Sequence, residues 1–236
     1  MAKLREASIP ARWNRAHGQA LQAMLAQEER GRGELARVLR QTSDGGAGAI
    51  RDGLTFGIAK LRRESRDRGR LALAAEFDQA RQDGLDIREG RGTLGSDPRD
   101  FVRARVIADN TAARWGRYEA QGLDADAALG SHLDTIAITE TAEAFNDERR
   151  IVLQQTESRT SGSMVLFEFW DAALDRRTCP VCERASGTFV LLGQGFPAGR
   201  PGGVHPRCRC NGTIIPLPFW YTREVETDGE FDYEAA

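Results

Sequence analysis

MVLFEFW, residues 164–170, is where the pattern of this chain changes. Bulky aliphatic and aromatic residues follow one another, and such a run reads as a strand entering a buried sheet. Upstream the chain reads differently. Alanine, arginine and leucine dominate the first two thirds, which favours helix. The stretch that begins IPARWNRAHGQ carries Trp13, Leu21, Leu25, Leu35 and Leu39 near helical spacing, with Pro10 tolerated in the first turn. TSDGGAGA, residues 42–49, is a break. A second helix is expected from about Ile50 to Arg81, with apolar stripes at Leu54, Ile58, Leu61 and at Leu71, Leu73, Phe77. Between the stripes lies RRESRDRGR, read as an exposed middle or as a bend near Gly69.

Residues 83–98 read as a loop, ended by Asp97-Pro98 with Asp100 behind it, a capping residue followed by a first-turn proline and a further acid. The helix expected there carries Phe101, Ala104, Ala108, Thr111 and Trp115 along one face. A long helix follows over roughly 125–155, with Leu129, Leu133, Ile136, Ala144 and Ile151 toward a core and His132 beside that stripe as a packing or surface residue. Downstream of residue 170 come a turn, a short strand at GTFVLL, a Gly/Pro-rich loop and a last strand-like segment, GTIIPLPFWY. The expected fold class is α+β: a predominantly helical N-terminal body with a small C-terminal α+β zinc-binding module. The expected division is 1–121 for a helical domain, 122–222 for the domain holding the module, and 223–236 for an acidic tail.

All four cysteines fall in that module, in DRRTCPVCERASG and GGVHPRCRCNG. Cys179-Pro-Val-Cys182 can aim two sulfurs at one point. His205, Cys208 and Cys210 supply three further donors on a short segment. Two short ligand pairs joined by a loop are how small zinc modules are built, and structural zinc takes four thiolate or imidazole ligands. Cys179, Cys182 and Cys210 are read as members of the set, with Cys208 and His205 competing for the remaining place. The nearest histidine upstream of the pair is followed by Leu-Asp rather than by the glutamate a zinc deaminase needs, and no His-Glu-x-x-His occurs. A redox pair would not call for the second cysteine segment. Disulfides would suit a chain that lives outside a cell. Donors that are mostly thiolates, with only Asp175 and Glu183 nearby, point to a structural metal and a non-enzymatic protein.

No apolar run approaches the length that spans a bilayer, and the first residues lack a signal-peptide core, so synthesis in the cytosol and no membrane partner are expected. The formal net charge is −2, with a balance of +6 over residues 1–121 and −8 over residues 122–236. Neither half has the excess of a dedicated DNA-binding domain. Arg176, Arg184, Arg200, Arg207 and Arg209 could meet phosphates or an acidic protein surface. From Glu224 to Glu234 every second residue is acidic, so in an extended chain the acids share one face and would suit a basic groove.

The line running from Trp170 through Asp175, Arg177, Thr178, Cys179 and Cys182 to Gly187, then His205-Pro-Arg-Cys208-Arg-Cys210, resembles the C-terminal domain of phage Mu F-like minor head proteins, the head morphogenesis family. Upstream, Thr139, Glu140, Asn146 and Arg149 resemble that family's Thr-Glu helix. The resemblance covers roughly residues 130–216. It implies a minor capsid protein of a tailed phage, prophage or phage-like particle, made in the host cytoplasm. In the virion it would sit in several copies near the portal vertex, touching portal and other head proteins. Its roles would be head assembly, DNA packaging or ejection. The alternative is a zinc-stabilised protein that binds the packaged double-stranded DNA. Beside the resemblance, Asp175 and Arg177 are expected to orient the metal ligands, and Glu140 and Arg149 to join the helix to the module.

Overall fold

The computed structural model describes residues 9–82, 97–157, 164–172, 176 and 178–218. Residues 83–96 of the loop expected at 83–98, Asp175, Arg177, the end of the last strand-like segment and the acidic residues 224–234 lie outside the described residues, as does the side chain of Trp13. Four long helices come first: α1 (Ile9–Thr42), α2 (Gly46–Gln82), α3 (Pro98–Ala120) and α4 (Ala125–Glu157). The break at TSDGGAGA is a single 3-10 turn, Ser43–Gly45, after which Gly46 at φ 75° opens α2. Asp97 caps α3 as its sequence suggests: the carboxylate accepts the Arg99 N–H at 2.9 Å and Pro98 occupies the first turn. After the helices come β1 (Met164–Asp171), the short helix α5 (Pro180–Ala185), β2 (Phe189–Leu191) and β3 (Asn211–Pro218). The sheet order is β2-β1-β3, antiparallel throughout. The fold is α+β, a helical body carrying a small C-terminal sheet.

One apolar core joins all four helices, from Leu35 and Leu39 through Leu54 and Ile58 to Ala104, Trp115, Leu129 and Leu133. This core runs continuously across residue 121. A second cluster joins Leu73 and Phe77 of α2, Val152 and Leu153 of α4, Leu166 of β1 and Ile214 of β3, and it seats the sheet on the helices. Leu166, Glu168 and Trp170 are the buried positions of β1, the period-2 pattern of a strand with one face inward. Two apolar positions expected inside are exposed. Leu71 turns outward while Ala72 and Leu73 turn in, and Phe101 rests edge-on against Phe56 with ring centroids 5.8 Å apart.

RRESRDRGR is neither exposed throughout nor a bend. Helix α2 continues through it, and Arg62, Ser65 and Arg66 are buried. Arg62 Nε and Arg66 Nε donate to the two oxygens of Asp100 at 2.9 and 2.8 Å. Arg62 also pairs with Glu140, Arg66 reaches Glu148 at 3.1 Å, and Arg70 closes on Glu148 from the other side. Arg103 of α3 takes Glu140 in a two-pronged grip at 2.7 and 2.9 Å. Buried charges persist only when paired in this way. Gly69 is needed for closeness rather than for bending: a Cβ there would stand 2.5 Å from the Phe145 carbonyl oxygen, so α2 and α4 touch backbone to backbone.

Candidate metal centre

Cys179 and Cys182 are brought together by a local rule. Cys179 is the N-cap of α5, Pro180 fills the first helical position, and the Cys179 sulfur accepts the Cys182 N–H at 3.4 Å. The Cys-Pro-Val-Cys spacing therefore makes one helical turn with both sulfurs at its start. On the facing segment the Cys208 N–H donates to the His205 carbonyl at 3.1 Å, which folds the imidazole and the Cys208 thiol to one side. Cys208 and Cys210 flank Arg209 on the chain that enters β3 at Asn211, and both are buried.

All five candidate donors converge. Cys179, Cys182 and His205 form one group with donor atoms within 4.8 Å of one another, and Cys182, Cys208 and Cys210 form a second, so Cys182 is common to both. His205 Nε2 lies 3.0 Å from the Cys179 sulfur and 3.2 Å from the Cys182 sulfur. The sulfurs of Cys182 and Cys208 are 3.8 Å apart. Sulfurs bound at about 2.3 Å to one tetrahedral ion stand about 3.8 Å apart, so this edge already has the length a metal centre needs. None of the four cysteines is in a disulfide. The His205 Nδ1 sits 2.7 Å from the Pro206 carbonyl, an acceptor only, so Nδ1 carries a proton there and Nε2 is the nitrogen turned to the sulfurs.

The electrostatics ask for a cation. Cys210 hydrogen-bonds to the Cys208 sulfur and, against burial, draws that thiol down to about 5. Burial pushes Cys182 up to about 12, and its hydrogen bond to Cys208 together with burial holds Cys210 above the ordinary thiol range. At Cys179 burial raises the thiol, but the N–H groups of Cys182 and Val181 outweigh it and the net shift is downward. Thiols crowded in this way resist further ionisation unless a metal ion neutralises them. The cluster can hold a metal ion, and neither donor group includes a carboxylate.

What surrounds the donors ties them to α4. Arg207, between His205 and Cys208, has φ 66°, a left-handed conformation rare for a residue with a side chain. Its N–H donates to Thr139 Oγ1 at 2.8 Å, and its guanidinium donates to Thr135 Oγ1 at 2.7 Å and to the Ser131 carbonyl at 2.8 Å. Asn146 Oδ1 accepts the Gly212 N–H at 2.8 Å. Gly202, at φ 82°, packs so tightly that a Cβ would lie 2.6 Å from Asn146 Nδ2. Trp170, fully buried, stacks edge-on with Phe196 at 5.2 Å and floors the cluster with Ala185, Cys182 and Cys208.

The pair expected to join helix and module divides its work. Arg149 does reach the module: its guanidinium donates to Asn211 Oδ1 at 2.6 Å and to the Gly212 carbonyl, and it pairs with Glu76 of α2. Glu140 instead faces Arg62 and Arg103 of the helical body. Arg150, unremarked in the sequence, holds Glu168 of β1 at 2.5 Å, which explains an acid at a core-facing strand position. Among the arginines expected to face phosphates, Arg209 is buried and Arg207 is spent on α4, whereas Arg176, Arg184 and Arg200 are exposed. His132 lies away from the cluster, at the α3–α4 seam, with Nε2 3.1 Å from Thr111 Oγ1. Comparison of the chain with family models, with curated proteins and with solved structures returned no match.

Proposed function

We propose that this chain is a minor capsid protein of the phage head morphogenesis type, in which a structural zinc ion fixes a C-terminal clasp to a helical body. The observation that carries the reading is a convergence. The residues quoted for the family resemblance are scattered from Thr139 to Cys210, yet Thr139, Asn146 and Arg149 each bond the segment that bears His205, Cys208 and Cys210. A resemblance made of unrelated coincidences would not be expected to gather in one place. Zinc is favoured because the donors are thiols and an imidazole gathered within 4.8 Å of one another in two overlapping groups, the ligand types this ion prefers. A structural role is favoured because the donors sit against buried Trp170 and are braced from α4 on the other side.

In this reading the helical body supplies the contacts with portal and other head proteins, and the clasp is its rigid anchor. The engagement of Arg207 and Arg209 within the fold weighs against the alternative of a DNA-binding module, since it leaves fewer of the clasp's arginines for phosphates. An asymmetric reconstruction of the intact particle tests the assignment: density for this chain beside the portal vertex supports it, and density elsewhere refutes the portal contact. Elemental analysis of the purified chain tests the ion. About one zinc per chain supports the structural site, and a different metal or none refutes it.

A further inference from the structure

A wide cleft lies away from the clasp. It lies between α3 and α4, has a volume of about 740 Å³, and is lined by Asn110, Arg114 and Arg117 on one side and His132, Thr135 and Thr139 on the other, over an apolar floor that includes Ile136; the one acid in the lining, Glu140, is already neutralised by Arg62 and Arg103. The α3 residues recur at helical spacing, so one face of that helix presents an amide and two guanidinium groups to the cleft. Arg114 and Arg117 form no ion pair among the described residues, in a body where most arginines of the helix seams are matched to carboxylates. Thr111 donates its hydroxyl proton to the Ile107 carbonyl at 2.8 Å and so accepts from His132 Nε2, which leaves His132 Nδ1 as a free acceptor. The hydroxyls of Thr135 and Thr139 are engaged by Arg207, so the groups left to meet a ligand are the Asn110 amide and two guanidinium groups without an ion pair among the described residues, which suit an extended anionic chain rather than a compact apolar ligand.

We propose that this cleft docks the acidic segment of the same chain, residues 224–234. Two observations select that occupant. Glu224, Glu226, Asp228, Glu230, Asp232 and Glu234 follow Arg223 with no further basic residue, so the segment has no local counter-charge. It is also within reach. The sixteen residues from Pro218 to Glu234 can span about 53 Å when extended. The path from Pro218 back along β3 to Ile214, and along α4 from Leu153 beside it to Thr139, is about 34 Å. A tethered segment is present at millimolar effective concentration, enough for a groove of modest intrinsic affinity.

The test uses the full chain with the six acids changed to their amides, and a fluorescent peptide of residues 222–236 as the probe. Anisotropy titration at low salt is expected to show the peptide binding this variant. Adding Arg114→Ala and Arg117→Ala should weaken binding at least about tenfold, the loss of two charge-assisted contacts. Arg176→Ala with Arg200→Ala should change it little. The unmodified chain, its groove already filled, should bind the peptide at least about tenfold more weakly than the amide variant. Exchanging charge, Arg114→Glu and Arg117→Glu against a peptide with lysine at the acidic positions, should restore binding and separates recognition from misfolding. No binding, binding indifferent to Arg114 and Arg117, or equal binding by the unmodified chain overturns the proposal. So does a short DNA duplex that occupies the cleft more tightly than the peptide.

Discussion

Asn146 Nδ2 donates to the Cys210 carbonyl oxygen at 2.8 Å, a side chain from the middle of α4 holding the backbone of a candidate metal ligand. With the Gly212 N–H donating back to Asn146 Oδ1, the amide stitches both sides of Asn211 to the helix. Asn146→Ala would leave a buried carbonyl and a buried N–H unpaired, at about 2–4 kcal/mol. Asn146→Asp would keep the acceptor but lose the donor and should be no milder. Urea denaturation measures the loss. The metal content of the folded fraction shows whether the clasp loosens before the helices do.

The shared position of Cys182 makes it the donor with no substitute. Cys182→Ser should abolish metal binding, whereas His205→Ala and Cys210→Ser should differ from each other, because five candidates serve a four-coordinate ion. Cobalt substitution distinguishes the outcomes: the intensity of the thiolate charge-transfer band falls when a cysteine ligand is lost and holds when a spare donor is removed. Chelation should lower the stability of the sheet and clasp and leave most of the helical circular dichroism, since the four-helix core contains no candidate ligand.

Arg66 holds Asp100 and Glu148 together at the α2–α3–α4 junction. Arg66→Ala removes one of the two cations that each of these buried carboxylates faces, leaving Asp100 with Arg62 and Glu148 with Arg70, so the loss should be about 2–3 kcal/mol rather than that of a fully stranded charge. Arg63→Ala, one helical step from Arg62 but exposed, is the control and should shift stability by less than about 0.5 kcal/mol. Thermal denaturation of the two variants side by side checks the contrast.

Glu76 and Asp171 both lie near Arg149, two carboxyls around one guanidinium. Burial, only partly offset by Arg149, pushes Glu76 up to about 7 and Asp171 up to about 6. Both folded values lie above their ordinary values of 4.5 and 3.8, so the folded state holds more protons than the unfolded chain between about pH 4 and pH 7. Stability from these groups is therefore fully present at the acid end of that window and declines as pH rises through it. Glu76→Gln should flatten the decline. Denaturant midpoints at pH 5 and pH 7.5, compared between the two proteins, read the difference.

The helices were legible because their signals are local. Asp97-Pro98 marks a start, and Leu54, Ile58 and Leu61 recur on one face, so caps and stripes need no knowledge of the partner surface. The meeting of the cysteines was legible for a similar reason, since two residues spaced by a turn must share a side. RRESRDRGR was not, because burial of Arg62 and Arg66 depends on Asp100, Glu140 and Glu148 arriving from two other helices. A run of charges looks solvated until its counter-ions are placed. Likewise nothing local tells Glu140 from Arg149. About two and a half turns of helix separate them, so the two side chains leave opposite faces of α4, one toward the body and the other toward the sheet. Arg207 shows the same limit: its left-handed backbone is dictated by Thr139 and Ser131, distant in sequence.

The bonds that Asn146 and Arg149 make to residues 210–212 also set a timetable for synthesis. A ribosome completes α4 more than fifty residues before Cys210, Asn211 and Gly212 exist, so the nascent helical body emerges with an amide and a guanidinium facing water where the last strand will lie. That face stays open until β3 leaves the exit tunnel, so the clasp closes only after the helical body has formed.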